Sequence, residues 1–158
     1  MHICTLNKHL LVVSLILIAA ASASAAGNRD GGGPAADQRD GVRVVTAGIS
    51  GGARPAIHMI RNAGALARTG LSEEHQRIIT RETDFATETA VYLQVGTRPT
   101  GGYRLALASV QRSESEVRID VEERRPERDA IVTQALTYPA ILLIVSDPPR
   151  SIVVNGPQ

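Results

Sequence analysis

A serine, two histidines and a close set of carboxylates are the side chains whose types could do chemistry in the body of this chain. Gly48-Ile49-Ser50-Gly51-Gly52 has the G-x-S-x-G spacing. A hydrolase needs such a serine on a strained strand-to-helix elbow, with an acid and then a histidine later in the chain. Here Arg54-Pro55 follows instead of a helix start, and no histidine comes after His75. The segment therefore reads as a glycine-rich turn. His58 sits in the apolar run Ala56 to Ile60, where a histidine is expected to be a hydrogen-bonded residue at a sheet edge. His75 lies among Glu73, Glu74 and Arg77 and reads as the solvated face of a helical turn. The two lack the spacing of a helical metal pair. Glu82, Asp84 and Glu88 could share acid/base work only if their surroundings separated their pKa values, and the neighbouring residues offer no such contrast. They are expected to be surface charge. No phosphate-cradling glycine loop and no dinucleotide fingerprint occurs. The expectation is a protein without catalytic residues, metal ligands or cofactor.

The composition narrows the remaining classes. The chain has 158 residues, enough for one domain. Its formal charge of +1 gives no reason to expect nucleic acid or an anionic membrane as partner. Aromatics make up 3%, too few for base-stacking platforms. The single cysteine, Cys4, excludes an internal disulfide framework and a multi-thiolate zinc site.

Lys8 followed by the apolar run Leu10 to Ala20 and the small residues Ala21 to Gly27 has the form of a secretory signal peptide. The run is too short to span a bilayer, which takes about 20 residues. Residues 1–26 are thus expected to direct export to the periplasm or the medium, with cleavage within 23–27. Without them the chain keeps 16 arginines and 16 acids, and no lysine or cysteine. Such a domain is neutral overall, which argues against a charge-driven partner. Residues 27–40, rich in Gly, Asp and Ala, read as a flexible linker. Residues 41–158 are expected to form a single β-rich domain.

The patterning of that domain predicts mainly β structure. Val42 to Val45 and Ala56 to Ile60 could be strands. Asn62 suits an N-cap and Gly70 a C-terminal stop, giving one short helix over 63–69, and Ser72 could cap a further turn over 73–77. Ala90 to Val95 reads as a strand. Tyr103, Leu105 and Leu107 alternate with Arg104, Ala106 and Ala108. Val117, Ile119 and Val121 alternate with Arg118, Asp120 and Glu122, which puts one face in a core and the other in water. Glu123 to Arg128 is a polar loop. Ile131 to Leu136 reads as a strand. Ile141 to Val145 is continuously apolar, as expected of a central strand covered on both faces, and Ile152 to Val154 would close the sheet. Strands at about ten-residue spacing suggest an antiparallel sandwich or a barrel-like sheet with one short N-terminal helix.

One turn is chemically unusual. In Arg98-Pro99-Thr100-Gly101-Gly102-Tyr103 the proline fixes φ, the glycines permit backbone that other residues avoid, and a tyrosine enters the next strand. Such a turn suits either tight strand pairing or presentation of a recognition loop. Arg98, Pro99, Thr100, Gly101, Gly102 and Tyr103 are the candidate partner-binding residues, with Asp84 or Tyr138 as candidate neighbours.

At this point the sequence resembles the C-terminal domain of the PrcB family. Asp84-Phe85 resembles that family's acidic-Phe pair, and Val91 to Val95 the strand that follows. Gly96-Thr97-Arg98-Pro99-Thr100-Gly101-Gly102-Tyr103 resembles its G-x-x-P-T-G-G-Y signature. Pro126 and Gln134-Ala135-Leu136-Thr137-Tyr138-Pro139 resemble its later landmarks. The resemblance runs over about residues 83–155. It implies a secreted, non-enzymatic β domain that associates with a partner protease and stabilises it or aids its maturation. A second, weaker likeness is to the chagasin-type cysteine protease inhibitors. Pro99 to Tyr103 is similar to their N-P-T-T-G-Y/F loop, and Arg125-Pro126 is similar to the start of their R-P-W/F loop. That likeness implies the alternative function, protease inhibition through the 98–103 loop.

Overall fold

A computed structural model describes residues 38–157. The expected signal peptide, and all but the last residues of the expected linker, lie outside the described residues. The elements run β1 (Gln38–Arg39), β2 (Val42–Val45), β3 (Pro55–Ile60), α1 (Ala63–Ala67), α2 (Glu73–Glu82), β4 (Glu88–Val95), β5 (Arg104–Arg112), β6 (Glu116–Arg124), β7 (Ala140–Ser146) and β8 (Ser151–Asn155). Gln38 and Arg39, placed in the linker by composition, pair with Arg43 and Val42 as the outermost strand.

Two sheets face each other. One has five strands in the order β1-β2-β7-β4-β3, all antiparallel; the other has three in the order β5-β6-β8. The three-stranded sheet is mixed, because β8 runs parallel to β6. The antiparallel sandwich expected from the pattern is present, and its one parallel pair has a topological reason. β7 lies in the other sheet, so the chain reaches β8 from β6 by a crossover, and a crossover returns it in the same direction. The result is a sandwich and not a closed barrel.

The apolar side chains sort by the period of two. Val91, Leu93 and Val95 of β4 and Ile141, Leu143 and Val145 of β7 point into the sandwich. There they meet Leu105, Leu107, Val117, Ile119, Val121 and Ile152. The alternate residues Ala90, Tyr92, Leu142 and Ile144 point the other way, against Leu66, Ile78 and Ile79 of the helices. Strand β7 is therefore buried on both faces, as its unbroken run Ile141 to Val145 predicts. Each such side chain contributes roughly 1.5–3 kcal/mol by leaving water.

The helices differ from expectation in length. Asn62 caps α1 by accepting from the Ala65 N–H at 2.8 Å, but the helix stops at Ala67 with Arg68 as its C-cap. Ser72 accepts from the His75 N–H, and α2 continues well beyond the single turn expected, to Glu82. Ile78 and Ile79 account for that continuation, since their burial rewards a third turn of helix. Ile131 to Leu136, expected as a strand, is irregular. Its backbone is diverted to the 98–103 turn, as described next.

Candidate functional site

The turn at 98–103 is the corner at which the chain leaves the five-stranded sheet and enters the three-stranded one. β4 ends at Val95 and β5 begins at Arg104. The return passage, residues 125–139, lies at the same end, between β6 and β7. Arg104 pairs with Arg124, and Gln94 with Ala140, so the two connections must run side by side.

They are stitched together by backbone. Arg98 and Thr137 exchange N–H to carbonyl bonds of 2.8 and 3.0 Å, and the Gly101 N–H donates to the Thr133 carbonyl at 2.9 Å. The Thr137 hydroxyl donates to the Thr100 carbonyl at 2.7 Å. A Cβ at Gly101 would fall 2.5 Å from the Thr133 hydroxyl, and one at Gly102 would fall 2.8 Å from Cβ of Pro126. Gly102 also has φ of +84°, where L side chains are strained. Gly102 is thus required by close approach as well as by the turn, and Gly101 lets the turn pass close to Thr133.

Of the six nominated residues, two face inward. The Arg98 guanidinium donates to Glu123 and to the carbonyls of Val95 and Thr97, each of the latter at 3.0 Å. Gly101 is buried. Pro99 and Gly102 are exposed, and Thr100 and Tyr103 are half-buried. The Tyr103 hydroxyl makes no hydrogen bond to a described residue. Tyr138 joins this corner. Asp84 does not, because it precedes β4 and so lies at the opposite end of that strand.

Pattern reading missed the contribution of the return passage. Ile131 is fully exposed, and Leu136 and Tyr138 are 62% and 38% exposed. Three large apolar side chains thus stand in water on a loop bonded to the turn. The signal was present but misread: Ile131-Val132 and Ala135-Leu136 flank a polar pair without alternation, which suits a loop held by its backbone better than a strand.

The chemistry-bearing side chains fall elsewhere. Ser50 and His75 meet, a contact added to the expected placing of His75 on a solvated helical turn. The Ser50 hydroxyl lies 3.4 Å from Nε2, and Nδ1 lies 2.8 Å from the Ser72 hydroxyl. The Ser50 N–H donates to the same Nε2 at 3.3 Å. The next two N–H groups are also bonded, Gly51 to the Tyr138 carbonyl at 2.7 Å and Gly52 to Gln94 at 2.8 Å. An oxyanion hole needs free donors there, so the arrangement serves to moor the 46–54 loop. Tyr92 completes the mooring by donating its hydroxyl to the Ser50 carbonyl. Burial pushes the Tyr92 phenol above its ordinary value. The Tyr92 ring also packs between His58 and His75, with centroids 6.1 and 5.8 Å away.

The three acids are each held by neighbouring groups. Glu82 pairs with Arg81 and Arg43. The Arg81 hydrogen bond, with Arg43 behind it, holds its carboxyl below the usual range. Asp84 accepts from the Ala86 N–H and the Thr87 hydroxyl, and Glu88 accepts from the Asp84 N–H at 2.9 Å. Among the described residues no group of three or more His, Cys, Asp or Glu could hold a metal ion, and no helix is long and apolar enough to cross a membrane.

The strand β4, the glycine corner, β5, β6, the return passage and β7 form one continuous unit, and this unit has a known counterpart. Residues 89–146 match the PrcB C-terminal family. The PrcB C-terminal match spans the corner and its partner loop in full and leaves out β3, the helices and β8. It lies within residues 83–155, the span of the sequence resemblance. No curated protein and no solved structure matches the chain.

Proposed function

We propose that this chain is an exported protein-binding domain whose PrcB-like corner associates with a partner protease and stabilises it. The observation that carries the reading is the pair of stitched connections, which bond the turn carrying Pro99, Gly102 and Tyr103 to the passage carrying the exposed Ile131, Leu136 and Tyr138. Exposed apolar groups fixed on a rigid frame suit protein contact, because little order is lost when they are covered. The protease enters through the family likeness, and export through the character of residues 1–26. The test is capture from an envelope extract by the tagged protein. A specific protein, a protease first of all, is expected, and Tyr103→Ala and Leu136→Ala should weaken its capture with little change in thermal midpoint. Recovery of nothing above a scrambled control ends this reading. Mass spectrometry of the exported product should find an N-terminus within 23–27.

One observation favours inhibition as a second reading. Pro126 lies against Gly102, so the 98–103 turn and the Arg125-Pro126 segment are adjacent, as a multi-loop wedge requires. Titration into papain-like proteases should then lower their activity. No effect at micromolar protein excludes it.

A further inference from the structure

Among the described residues, strand β3 is the end of the five-stranded sheet and pairs only with β4. The Val95 N–H donates to the Pro139 carbonyl, away from β3. The alternation of an antiparallel ladder then turns the polar backbone of Gln94, Tyr92 and Ala90 toward β3. Their register partners Ala56, His58 and Ile60 answer them. The N–H and C=O groups of Ile57 and Met59 therefore point outward along an open edge. The side chains of these two residues are also partly exposed, with the Arg61 guanidinium against the Met59 sulfur at 3.5 Å. Ile57 and Met59 stand opposite Leu93 and Val91, which the three-stranded sheet buries. With five strands facing three, β3 overhangs, and Ile57 and Met59 remain 49% and 37% exposed. A cleft runs beside this edge, lined by Ile57, His58, Met59, Ala65, Arg68 and Thr69.

The charge around the edge is one-sided. Residues 41–72 contain four arginines and no Asp or Glu, although the chain as a whole is nearly neutral. Arg43 is taken by Glu82. Arg54 and Arg61 bracket β3 and Arg68 lines the cleft. All three are exposed, and none makes an ion pair with a described residue.

We infer that the edge of β3 is a second interaction surface, which accepts an extended acidic segment of a partner protein as an added strand. It rests on the protein-binding reading but uses different residues from the corner. Backbone groups of Ile57 and Met59 supply the ladder bonds. The overhanging Ile57 and Met59 side chains take apolar residues at alternate positions of the incoming strand, and Arg54, Arg61 and Arg68 take its carboxylates. The same arginines disfavour a second copy of this chain, since edge-to-edge pairing would bring two such sets together.

The test uses a labelled peptide of alternating valine and threonine with acidic residues at both ends, and a control with lysines in their place. The acidic peptide should bind, salt should weaken it, and the lysine peptide should not bind. Amide exchange at Ile57 and Met59 should slow on binding. Met59→Pro removes an outward donor and spares the ladder to β4, so it should weaken binding by about tenfold or more. Should that variant lose its fold, Ile57→Asp with an unchanged thermal midpoint makes the same test. Arg61→Glu combined with Arg68→Glu should weaken the acidic peptide and admit the lysine one. Unchanged exchange at Ile57 and Met59 with millimolar acidic peptide overturns the inference, as does equal binding of the two peptides. A dimer in sedimentation that Met59→Pro dissociates overturns it in favour of a second copy. Tyr103→Ala should leave peptide binding intact, so failure at the corner and failure at the edge are told apart.

Discussion

Removing the Arg98 guanidinium would leave Glu123 without its nearest cation, where only 9% of the Glu123 side chain reaches solvent. Arg125 lies 3.9 Å away and is itself largely exposed, so it replaces little. Arg98→Ala is expected to cost about 2 kcal/mol in urea unfolding. Arg98→Lys should recover only part of that, since an ammonium cannot serve Glu123 and two carbonyls in one plane. Gly102→Ala faces both a positive φ and the rigid ring of Pro126, and should cost about 1–3 kcal/mol by the same measurement. Asp120 gives a pH prediction. Hydrogen bonds from Asn155 first, then Ser109, with the Arg118 charge behind them, hold its carboxyl below the ordinary 3.8. A carboxyl with a depressed folded pKa stabilises above its unfolded value and loses that stabilisation as pH falls through the folded one. Acid unfolding below about pH 4 should therefore flatten in Asp120→Asn.

At the scale of elements, β7 separates two cores that can be weakened one at a time. Leu143→Ala opens the sandwich and Leu142→Ala opens the helix layer, each at about 2–5 kcal/mol. Only the second should speed amide exchange in α2 ahead of the sheets. Strand β8 adds Ile152 to the sandwich and Asn155 to Asp120, so Ile152→Ala should loosen β6 along with β8. Much of this was legible from side-chain period. The double-faced run of β7 and the alternation of β5 and β6 follow from which residues are apolar. The direction of β8 was not legible, because parallel pairing depends on which sheet β7 joins. The passage 125–139 departs from its pattern because its backbone is held at Thr133 and Thr137 by a turn more than thirty residues earlier in the chain, a contact that local pattern does not encode. Within the corner, residue types showed that the turn was special. They could not show that Arg98 and Gly101 hold it down while Pro99 and Gly102 face water.

Across the whole molecule, overall neutrality hides an uneven distribution of charge. Balanced totals argued against any charge-driven partner, yet the acid-free stretch 41–72 gathers three of its four arginines around one strand. The pairing of β2 with β7 joins Val42 to Val145 across most of the described chain. β4, the neighbour of β7 on its other side, cannot be enclosed until both flanks are present. Stopped-flow refolding should therefore be slow, in the millisecond-to-second range typical of sheets built from distant segments. A nascent polypeptide could assemble its helices early, but its central sheet must wait until residue 145 has left the ribosome. During that interval the still-open chain is the form that chaperones and proteases would meet.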